Sequence, residues 1–324
     1  MRRRDALLLP LLAVPFCTGS EAVAQGPSKV YRLGVLSPSP GSLQRMRALM
    51  FPELARLGFT EGQNLVVEAR FGPTEELPAL ARQIVAARPD AIIATGIAIR
   101  AARQATSTTP IIGLSIGEDP IVAGFAASLA RPGGNVTGIV MLAPELDGRR
   151  LQLLHDAVPG VSRIAALAVS PERSAPNLEA MGEVATRAGL ALLPFYAAAP
   201  DQYPIAFTAM RSSGAGALQI VSDPELFTHA SALTDFALEA KLPTMCEWRT
   251  MAAQGCLLGY GPDLSELLRR WADYVARIFR GASPAELPIE GPTHYEFAVN
   301  LKTAKALGLT IPPSILARAD EVID

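Results

Sequence analysis

Cysteine, histidine and aromatic residues are scarce in this chain of 324 residues, which has 3 cysteines, 3 histidines and 6% aromatic residues. The histidines are far apart, and no H-E-x-x-H or C-x-x-C pattern occurs, so the sequence offers no recognisable metal site. The G-x-x-x-x-G-K-[ST] pattern of an ATPase does not occur, and no G-x-G-x-x-G follows the first predicted strand. We therefore expect no metal and no cofactor.

An excess of one charge is also lacking, because 29 basic and 31 acidic residues leave a net charge of −2. This near-neutral balance gives no electrostatic reason to expect nucleic acid or a membrane surface as a partner. The hydrophobic content of 49% is enough to build packed cores and excludes disorder over most of the length. A chain of this size is typical of two domains.

The apolar run at residues 7–16 is too short to cross a bilayer, which takes about 18 or more residues. It follows a cluster of three arginines and precedes the small residues Ala22 and Ala24. This pattern predicts a secretory signal peptide over residues 1–24, and hence a protein of the periplasm. The adjacent arginines leave the twin-arginine export route open.

Removal of that peptide takes Cys17 with it and leaves Cys246 and Cys256. An oxidising compartment permits a disulfide between these two residues. Free buried cysteine, however, is equally compatible with their apolar surroundings. The sequence leaves both states open.

Short apolar runs alternate with amphipathic stretches along almost the whole chain. Strands are predicted at residues 31–37, 64–70, 90–95, 111–116, 164–169, 191–196, 217–221, 244–247 and 256–260. Helices are predicted at residues 42–57, 75–87, 97–106, 120–130, 177–188, 204–212, 226–240 and 264–279. This alternation is typical of βαβ units and predicts α/β lobes built on mostly parallel sheets.

Three segments have the composition of crossings between two lobes, namely residues 136–142, 259–262 and 288–293. Each lobe would then be built from discontinuous chain. The expected division is a signal peptide at 1–24, an N-terminal lobe at 28–138 plus about 262–288, and a C-terminal lobe at 139–261 plus about 289–324.

Four runs of sequence carry a resemblance to a known family. They are LARPGGNVTG (129–138), NLKTAKALGLTIPPSILARADEVI (300–323), GFTEGQN (58–64) and GYGPDL (259–264). These runs resemble ABC-transporter substrate-binding proteins, a family that includes tryptophan-binding proteins of the type I periplasmic-binding fold. The resemblance implies two Rossmann-like lobes joined by three hinge strands, which close on a small molecule and deliver it to a permease in the inner membrane. We expect such a protein to be monomeric.

Ligands of open parallel sheets bind beyond the carboxyl ends of strands, near helix N-termini. This rule selects side chains and glycines at strand ends in both lobes. The candidates are Ser37, Thr95, Gly96, Ser115, Asp119, Ser170, Ser222, Asp223, Glu247, Trp248 and Tyr260. Each of them has an alternative role in a turn or a cap, and Asp119 and Asp223 both precede a proline as helix N-caps do.

A carboxylate at a strand end can bind an ammonium group, and an aromatic ring can stack on an apolar ligand. Glu247 or Asp223 is therefore the expected partner of a ligand cation. The favoured ligand is an amino acid or an aromatic compound of that size.

Two other functions fit parts of the sequence. Residues 113–117 match the G-x-S-x-G nucleophile elbow, and His294 lies downstream as a hydrolase requires. The elbow needs its serine at a sharp turn into a helix, whereas Ser115 lies inside a predicted strand, so we expect no enzyme. A periplasmic ligand sensor with the same fold would have the same features, and the sequence does not separate it from a transport protein.

Overall fold

The computed structural model describes residues 29–116, 119–141 and 143–324. The predicted signal peptide at residues 1–24 lies outside these ranges. No helix among the described residues combines the length and the apolar character needed to cross a membrane.

The first sheet has six strands, and all of their pairings are parallel. Its strands are β1 (Tyr31–Ser37), β2 (Leu65–Phe71), β3 (Ala91–Thr95), β4 (Ile111–Ile116), β5 (Val136–Val140) and β11 (Ile289–Glu290). Their order across the sheet is β11-β5-β4-β3-β1-β2. The central strands read as short apolar runs because helices cover both faces of the sheet.

The helices of the first lobe include one from late in the sequence. They are α1 (Gly41–Arg45), α2 (Phe51–Arg56), α3 (Leu77–Ala86), α4 (Ala98–Ala105) and α11 (Leu264–Phe279). A π-helical turn, Met46–Met50, joins α1 to α2, so the helix predicted over residues 42–57 is a continuous helical run with one wide turn. Phe279 of α11 stacks on Tyr31 and contacts Phe59, which fixes α11 to the first lobe.

The predicted helix at residues 120–130 is wrong, because this segment forms turns. The Asp119 carboxylate accepts backbone N–H bonds from Ile121 and Val122, as it would at a helix start. The backbone N–H of Phe125 then bonds back to Pro120. Gly124 has a φ of 72°, which ends the turn before a helix can propagate.

The second sheet has seven strands in the order β13-β12-β10-β9-β8-β6-β7. Its strands are β6 (Arg163–Ala168), β7 (Ala191–Tyr196), β8 (Ala217–Ile220), β9 (Thr244–Cys246), β10 (Leu258–Pro262), β12 (Tyr295–Asn300) and β13 (Glu321–Ile323). The β10–β12 pairing is antiparallel and the other pairings are parallel. The sequence pattern did not predict β12 and β13.

Eight helices pack in the described part of the second lobe. They are α5 (Ala143–Ala157), α6 (Pro171–Ala188), α7 (Tyr203–Ser212), α8 (Pro224–Thr228), α9 (Ala230–Glu239), α10 (Arg249–Ala253), α12 (Leu301–Ala306) and α13 (Pro313–Leu316). Helix α5 was not predicted. Helix α6 begins six residues before the prediction, because Ser170 caps it and Pro171 occupies its first turn.

The chain passes between the two sheets three times, after β5, between β10 and α11, and between β11 and β12. The prediction of an α/β fold with two parallel-sheet lobes joined by three crossings is confirmed. Cys246 at the end of β9 forms a disulfide with Cys256, and their Cα atoms are 6.3 Å apart. Both cysteines are fully buried in the second lobe.

Candidate functional site

A cleft lies where the carboxyl ends of strands from both sheets face each other. Its inner chamber has a volume of about 230 Å³. The first lobe contributes Thr95 and Gly96 at the end of β3, and the second contributes Ser222, Asp223 and Glu247 after β8 and β9. Parallel strands bring their carboxyl ends to the same edge of a sheet, which is why residues distant in sequence meet here.

Apolar side chains, all but one of them on helices, complete the inner chamber. They are Met46, Leu49, Phe227, Trp248, Leu264, Leu268 and Trp271. Three of these, at positions 264, 268 and 271, follow the i, i+4, i+7 spacing that places them on one face of α11. The chamber is therefore an apolar and aromatic space with a few polar groups on its walls, the usual composition of a small-molecule site.

A wider outer chamber of about 980 Å³ opens from the inner one. The two chambers share Thr95, Gly96 and Asp223 in their walls. Ser170 and Arg173 line the outer chamber from the second lobe. The two chambers are therefore adjoining parts of one cleft.

The first-lobe wall holds a group of hydrogen-bonded hydroxyls. The Ser37 Oγ lies 2.7 Å from the Ser42 Oγ and accepts a hydrogen bond of 2.8 Å from the Thr95 Oγ1. It also accepts the backbone N–H of Ser39 at 3.2 Å. Ser37 is fully buried, so it supports Ser42 and Thr95, which line the chamber.

Arg45 at the end of α1 is the charged group of the first-lobe wall. Its Nη1 donates to the Thr228 Oγ1 of the second lobe at 2.5 Å, and its guanidinium lies 5.5 Å from the centre of the Phe227 ring. Burial lowers the pKa of Arg45, and the nearby charge of Glu247 acts in the opposite direction. Arg45 therefore spans the two lobes beside the inner chamber.

Asp223 is both a helix N-cap and a residue of the chamber wall, the two roles considered for it from the sequence. Its carboxylate caps α8 by accepting the Glu225 N–H at 2.8 Å. The Arg173 side chain also donates to both carboxylate oxygens, at 3.1 Å and 2.9 Å. Burial nevertheless raises the pKa of Asp223 to about 6. The carboxylate reaches both chambers but is already occupied by protein donors.

Glu247 follows β9 and lines the inner chamber next to Trp248. Burial raises the pKa of Glu247 to about 7, although the charge of Arg150 and a hydrogen bond from Trp248 oppose this rise. A carboxylate in such surroundings gains from a cationic partner, because the partner offsets the cost of burying its charge.

A buried ion pair beneath the second-lobe wall was not predicted from the sequence. The Arg150 Nη1 lies 2.9 Å from the Asp147 Oδ1, and both side chains have zero exposure. Positions 147, 150, 151 and 154 of α5 share one helical face, and Leu151 and Leu154 on it are buried. The sequence contained a sign of this pair, because the helical spacing places an acidic and a basic residue on the same face as two leucines.

The remaining candidates lie elsewhere or serve local structure. Ser170 accepts the Arg173 N–H as the N-cap of α6, and Asp119 binds the turn after it. The Tyr260 side chain stacks on Tyr295 and lines neither chamber of the cleft. Ser115 belongs to β4, and its side chain lies outside the described part of the structure.

Ser115 lies in β4, and the next described element along the chain is the strand β5. In the part of the chain that the structure describes, no helix lies between β4 and β5. An elbow requires a strand that turns directly into a helix. The His294 Nδ1 lies 2.6 Å from the Glu266 Oε2 on the α11 side of a crossing. The described residues also contain no group of three or more histidine, cysteine or acidic side chains placed to hold a metal ion.

Two parallel-sheet lobes with a ligand-sized cleft lined from both define a two-lobed solute-binding protein. The model of the ABC transporter substrate-binding protein family matches residues 40–323, and the chain belongs to this family. Substrate-binding proteins of ABC importers bind a small molecule outside the cytoplasm.

Individual relatives agree with this assignment. A tyrosine-binding protein of Clostridioides difficile (strain R20291) is 22% identical over 273 residues, which cover 83% of this chain and 78% of the relative. The solved structure of a conserved domain protein from Vibrio cholerae O1 biovar El Tor has a TM-score of 0.78 and 26% identity, covering 91% of this chain and all of that one. An ABC domain from Streptococcus pneumonia in complex with L-Trp has a TM-score of 0.76 with the same identity and coverage.

Proposed function

We propose that this chain captures an aromatic amino acid in the inner chamber and delivers it to an ABC permease in the inner membrane. It is exported to the periplasm by the signal peptide at residues 1–24, works as a monomer and catalyses no reaction. The observation that carries the proposal is the chamber itself, which combines aromatic rings, a cationic side chain and two carboxylates between two lobes.

Each part of an aromatic amino acid has a matching group on the walls. The ammonium pairs with the Glu247 carboxylate, since the other acidic wall residue, Asp223, already accepts bonds from Arg173 and the α8 backbone. The carboxylate pairs with Arg45, the one cationic side chain that lines the inner chamber among the described residues. Charge-assisted hydrogen bonds of this kind fix the orientation of a zwitterion.

The aromatic side chain of the ligand packs among Phe227, Trp248 and Trp271. The Trp271 Nε1 is buried and has no hydrogen-bond partner within the described residues. A buried donor without an acceptor is unusual in a folded protein, and a ligand acceptor would satisfy it. The tyrosine-binding relative and the L-Trp complex support the same ligand class.

Capture follows from a shift between open and closed lobes. The first lobe comprises the first sheet with α11, and the second lobe comprises the second sheet, with the three crossings as the hinge. A ligand bound to one lobe gains contacts with the other lobe only when the lobes close, so these added contacts stabilise the closed form. Arg45 on one lobe and Glu247 on the other supply these contacts for the two charged groups of one molecule.

Isothermal titration calorimetry of the mature protein, refolded to remove any copurified ligand, tests the proposal. L-Trp, L-Tyr and L-Phe are compared with tryptamine, which lacks the carboxylate, and indole-3-propionate, which lacks the ammonium. We expect the amino acids to bind at least about 10-fold more tightly than either analogue, since a lost charge pair costs about 1.4 kcal/mol or more.

Glu247→Gln should abolish the preference for L-Trp over indole-3-propionate, whereas Glu239→Gln on the exposed face of α9 should keep it. Equal affinity for L-Trp and both analogues in the wild-type protein, or no binding of any amino acid, would refute the proposed ligand class.

A further inference from the structure

The Asp147–Arg150 pair on α5 lies directly behind the second-lobe wall of the inner chamber. Neither side chain has any exposed surface, so neither can touch a ligand. Burying two charges is costly, and such a pair persists only when its remaining hydrogen-bonding groups are also satisfied. The partners that satisfy this pair therefore indicate what it does.

The guanidinium of Arg150 donates to residues that follow β8 and β9 and to one residue within β10. Its Nη1 donates to the Ser222 Oγ beyond β8 at 2.6 Å, and its Nη2 donates to the Glu247 carbonyl beyond β9 at 3.1 Å. Its Nε donates to the Tyr260 carbonyl in β10 at 2.6 Å. One rigid fork thus fixes three neighbouring positions of the sheet edge, two of which line the chamber.

Asp147 completes the arrangement from the other side. Its carboxylate accepts the backbone N–H of Ser222 at 3.1 Å and the Ser222 hydroxyl at 3.0 Å. It also accepts the Asn177 Nδ2 at 2.6 Å and the Gln219 Nε2 at 3.2 Å. Ser222 is consequently held by both members of the pair.

The loop after β9 lies so close to β10 that only glycine fits beneath it. A Cβ on Gly261 would lie 2.2 Å from the Glu247 carbonyl oxygen, and a Cβ on Gly259 would lie 2.4 Å from the Trp248 carbonyl oxygen. The backbone of Glu247 and Trp248 is therefore pressed onto β10, at the place where Arg150 donates to it.

We infer that Asp147 and Arg150 are positioning residues of the ligand site, which clamp the strand ends so that Glu247 and Ser222 face the ligand. Through Arg150, this clamp of Asp147 and Arg150 also connects β10 to the wall that carries Glu247. Strand β10 leads into the second crossing between the lobes. This inference rests on the proposed function where it is tested by ligand affinity, since that test assumes a zwitterionic ligand. A second test, the exposure of Trp248, needs no ligand.

Arg150→Lys keeps the charge but loses the fork that reaches three acceptors. We expect this variant to bind L-Trp at least about 10-fold more weakly and to lose most of the preference for L-Trp over indole-3-propionate. A change that only destabilises the lobe would lower the affinities for L-Trp and indole-3-propionate by the same factor. Ser222→Ala provides a milder variant, because it removes the hydroxyl contacts but leaves the ion pair and the bond from the residue 222 N–H to Asp147 intact.

The matched control is Asn300→Ala in the same lobe. Asn300 is buried and bonds to the Ala252 carbonyl and the Thr303 N–H. Because β12 is antiparallel to β10, Asn300 lies at the opposite edge of the sheet from the cleft. We expect this variant to lower the melting temperature while preserving the preference for L-Trp over its analogue.

Tryptophan fluorescence tests the clamp without a ligand. The chain has 2 tryptophans, and Trp271→Phe leaves Trp248 as the single emitter. In that background, Arg150→Lys should raise acrylamide quenching of the Trp248 emission by roughly twofold, because the loop after β9 opens locally. Asn300→Ala should leave it unchanged.

The outcomes separate the two proposals. If the wild-type protein binds no amino acid, the proposed function fails, and the quenching result alone decides the clamp. If Arg150→Lys retains both the ligand preference and the low quenching of Trp248, the pair is merely structural and this inference is overturned.

Discussion

The two walls of the cleft select a ligand by different means. The first-lobe wall presents neutral hydroxyls that bond to one another, with Arg45 at its side. The second-lobe wall presents the carboxylates of Asp223 and Glu247, and both have a raised pKa because they are buried. The hydroxyls of the first wall bond to one another, whereas on the second wall Asp223 is paired with Arg173 and Glu247 is the carboxylate that we propose for the ligand cation.

The two lobes also differ in the interactions that hold each wall in place. The second lobe holds its strand ends with the buried Asp147–Arg150 pair and joins β9 to the start of β10 by the Cys246–Cys256 disulfide. The first lobe has no cysteine and relies on apolar and aromatic packing, such as Tyr31 on Phe279. A wall that presents carboxylates to a ligand needs a stiffer frame, because only fixed groups gain fully from ligand contacts.

The largest effect should come from breaking the buried pair on one side. Arg150→Met leaves Asp147 charged and unpaired inside the second lobe, which should cost about 3–5 kcal/mol in free energy of unfolding. Adding Asp147→Leu should recover part of that loss by removing the isolated charge, although the Glu247 and Tyr260 carbonyls and the Asn177 amide then lose their partners. Urea unfolding followed by circular dichroism measures both variants, and equal stability of the single and double variants would contradict the assigned pairing.

The disulfide should contribute the next largest effect, and only in the second lobe. Cys246→Ser with Cys256→Ser opens a loop of sequence separation 10 and should cost about 2–3 kcal/mol. Hydrogen exchange should show faster exchange in β9 and β10, with β1 and β3 unchanged. Two free thiols in the native exported protein, found by mass spectrometry without reduction, would remove the basis of this prediction.

Glu247→Gln should stabilise the ligand-free protein at neutral and higher pH. Burial raises the pKa of Glu247 from 4.5 to about 7, so its favourable protonated state is present below pH 4.5 and lost as the pH rises through 7. The variant should therefore gain on the order of 1–2 kcal/mol at pH 8 and little at pH 4.5. Thermal unfolding across this range, with Glu239→Gln as control, measures the gain.

Ligand affinity should rise with pH over the range in which ionisation of Glu247 lowers the stability of the ligand-free protein. Only the ionised form of Glu247 pairs with an ammonium group, so the affinity for L-Trp should fall roughly 10-fold between pH 8 and pH 5.5. Indole-3-propionate, which carries no ammonium, should show no such fall. A pH-independent affinity for L-Trp would exclude Glu247 as the partner of the ligand cation.

The smallest effect should arise in the first wall. Ser37→Ala removes a buried hydroxyl that is bonded to Ser42 and Thr95, and it should cost about 1 kcal/mol because these partners can turn towards the cleft. Affinity for L-Trp should change only a few-fold. The exposed Thr208→Ala serves as the control, and a loss in Ser37→Ala as large as that in Arg150→Met would remove the contrast between the walls.

Sequence patterns predicted most strands and selected residues at the strand ends, because apolar runs and strand ends are local features. Six residues selected by the strand-end rule line the inner chamber, and their contact with a ligand stays a prediction; they are Thr95, Gly96, Ser222, Asp223, Glu247 and Trp248. The rule did not find Arg45 or Trp271, because they lie on helices whose orientation depends on packing. The family assignment came from specific runs of residues and is confirmed by the match over residues 40–323.

Other elements were missed where local signals conflict with tertiary structure. Helix α5 contains Pro144, Gly148 and a buried charge pair, so its sequence lacks a simple apolar face. Residues 120–130 were predicted as a helix from the Asp119–Pro120 start, but that start caps a turn instead. For α5 the deciding contacts are distant in sequence, as between Arg150 and the Tyr260 carbonyl, whereas residues 120–130 are turned by Gly124 and by local backbone bonds.

The π-helical turn Met46–Met50 joins a helix that faces the cleft to one that faces the core. Phe51 and Leu54 after it are buried in the first lobe, while Ser42 and Arg45 before it line the inner chamber. A wide turn of this kind holds one more residue than an α-helical turn. Deleting a single residue there would rotate Arg45 by about 100° relative to Phe51. The shape of the pocket can thus be altered by changing chain length at one point, without any substitution in the core.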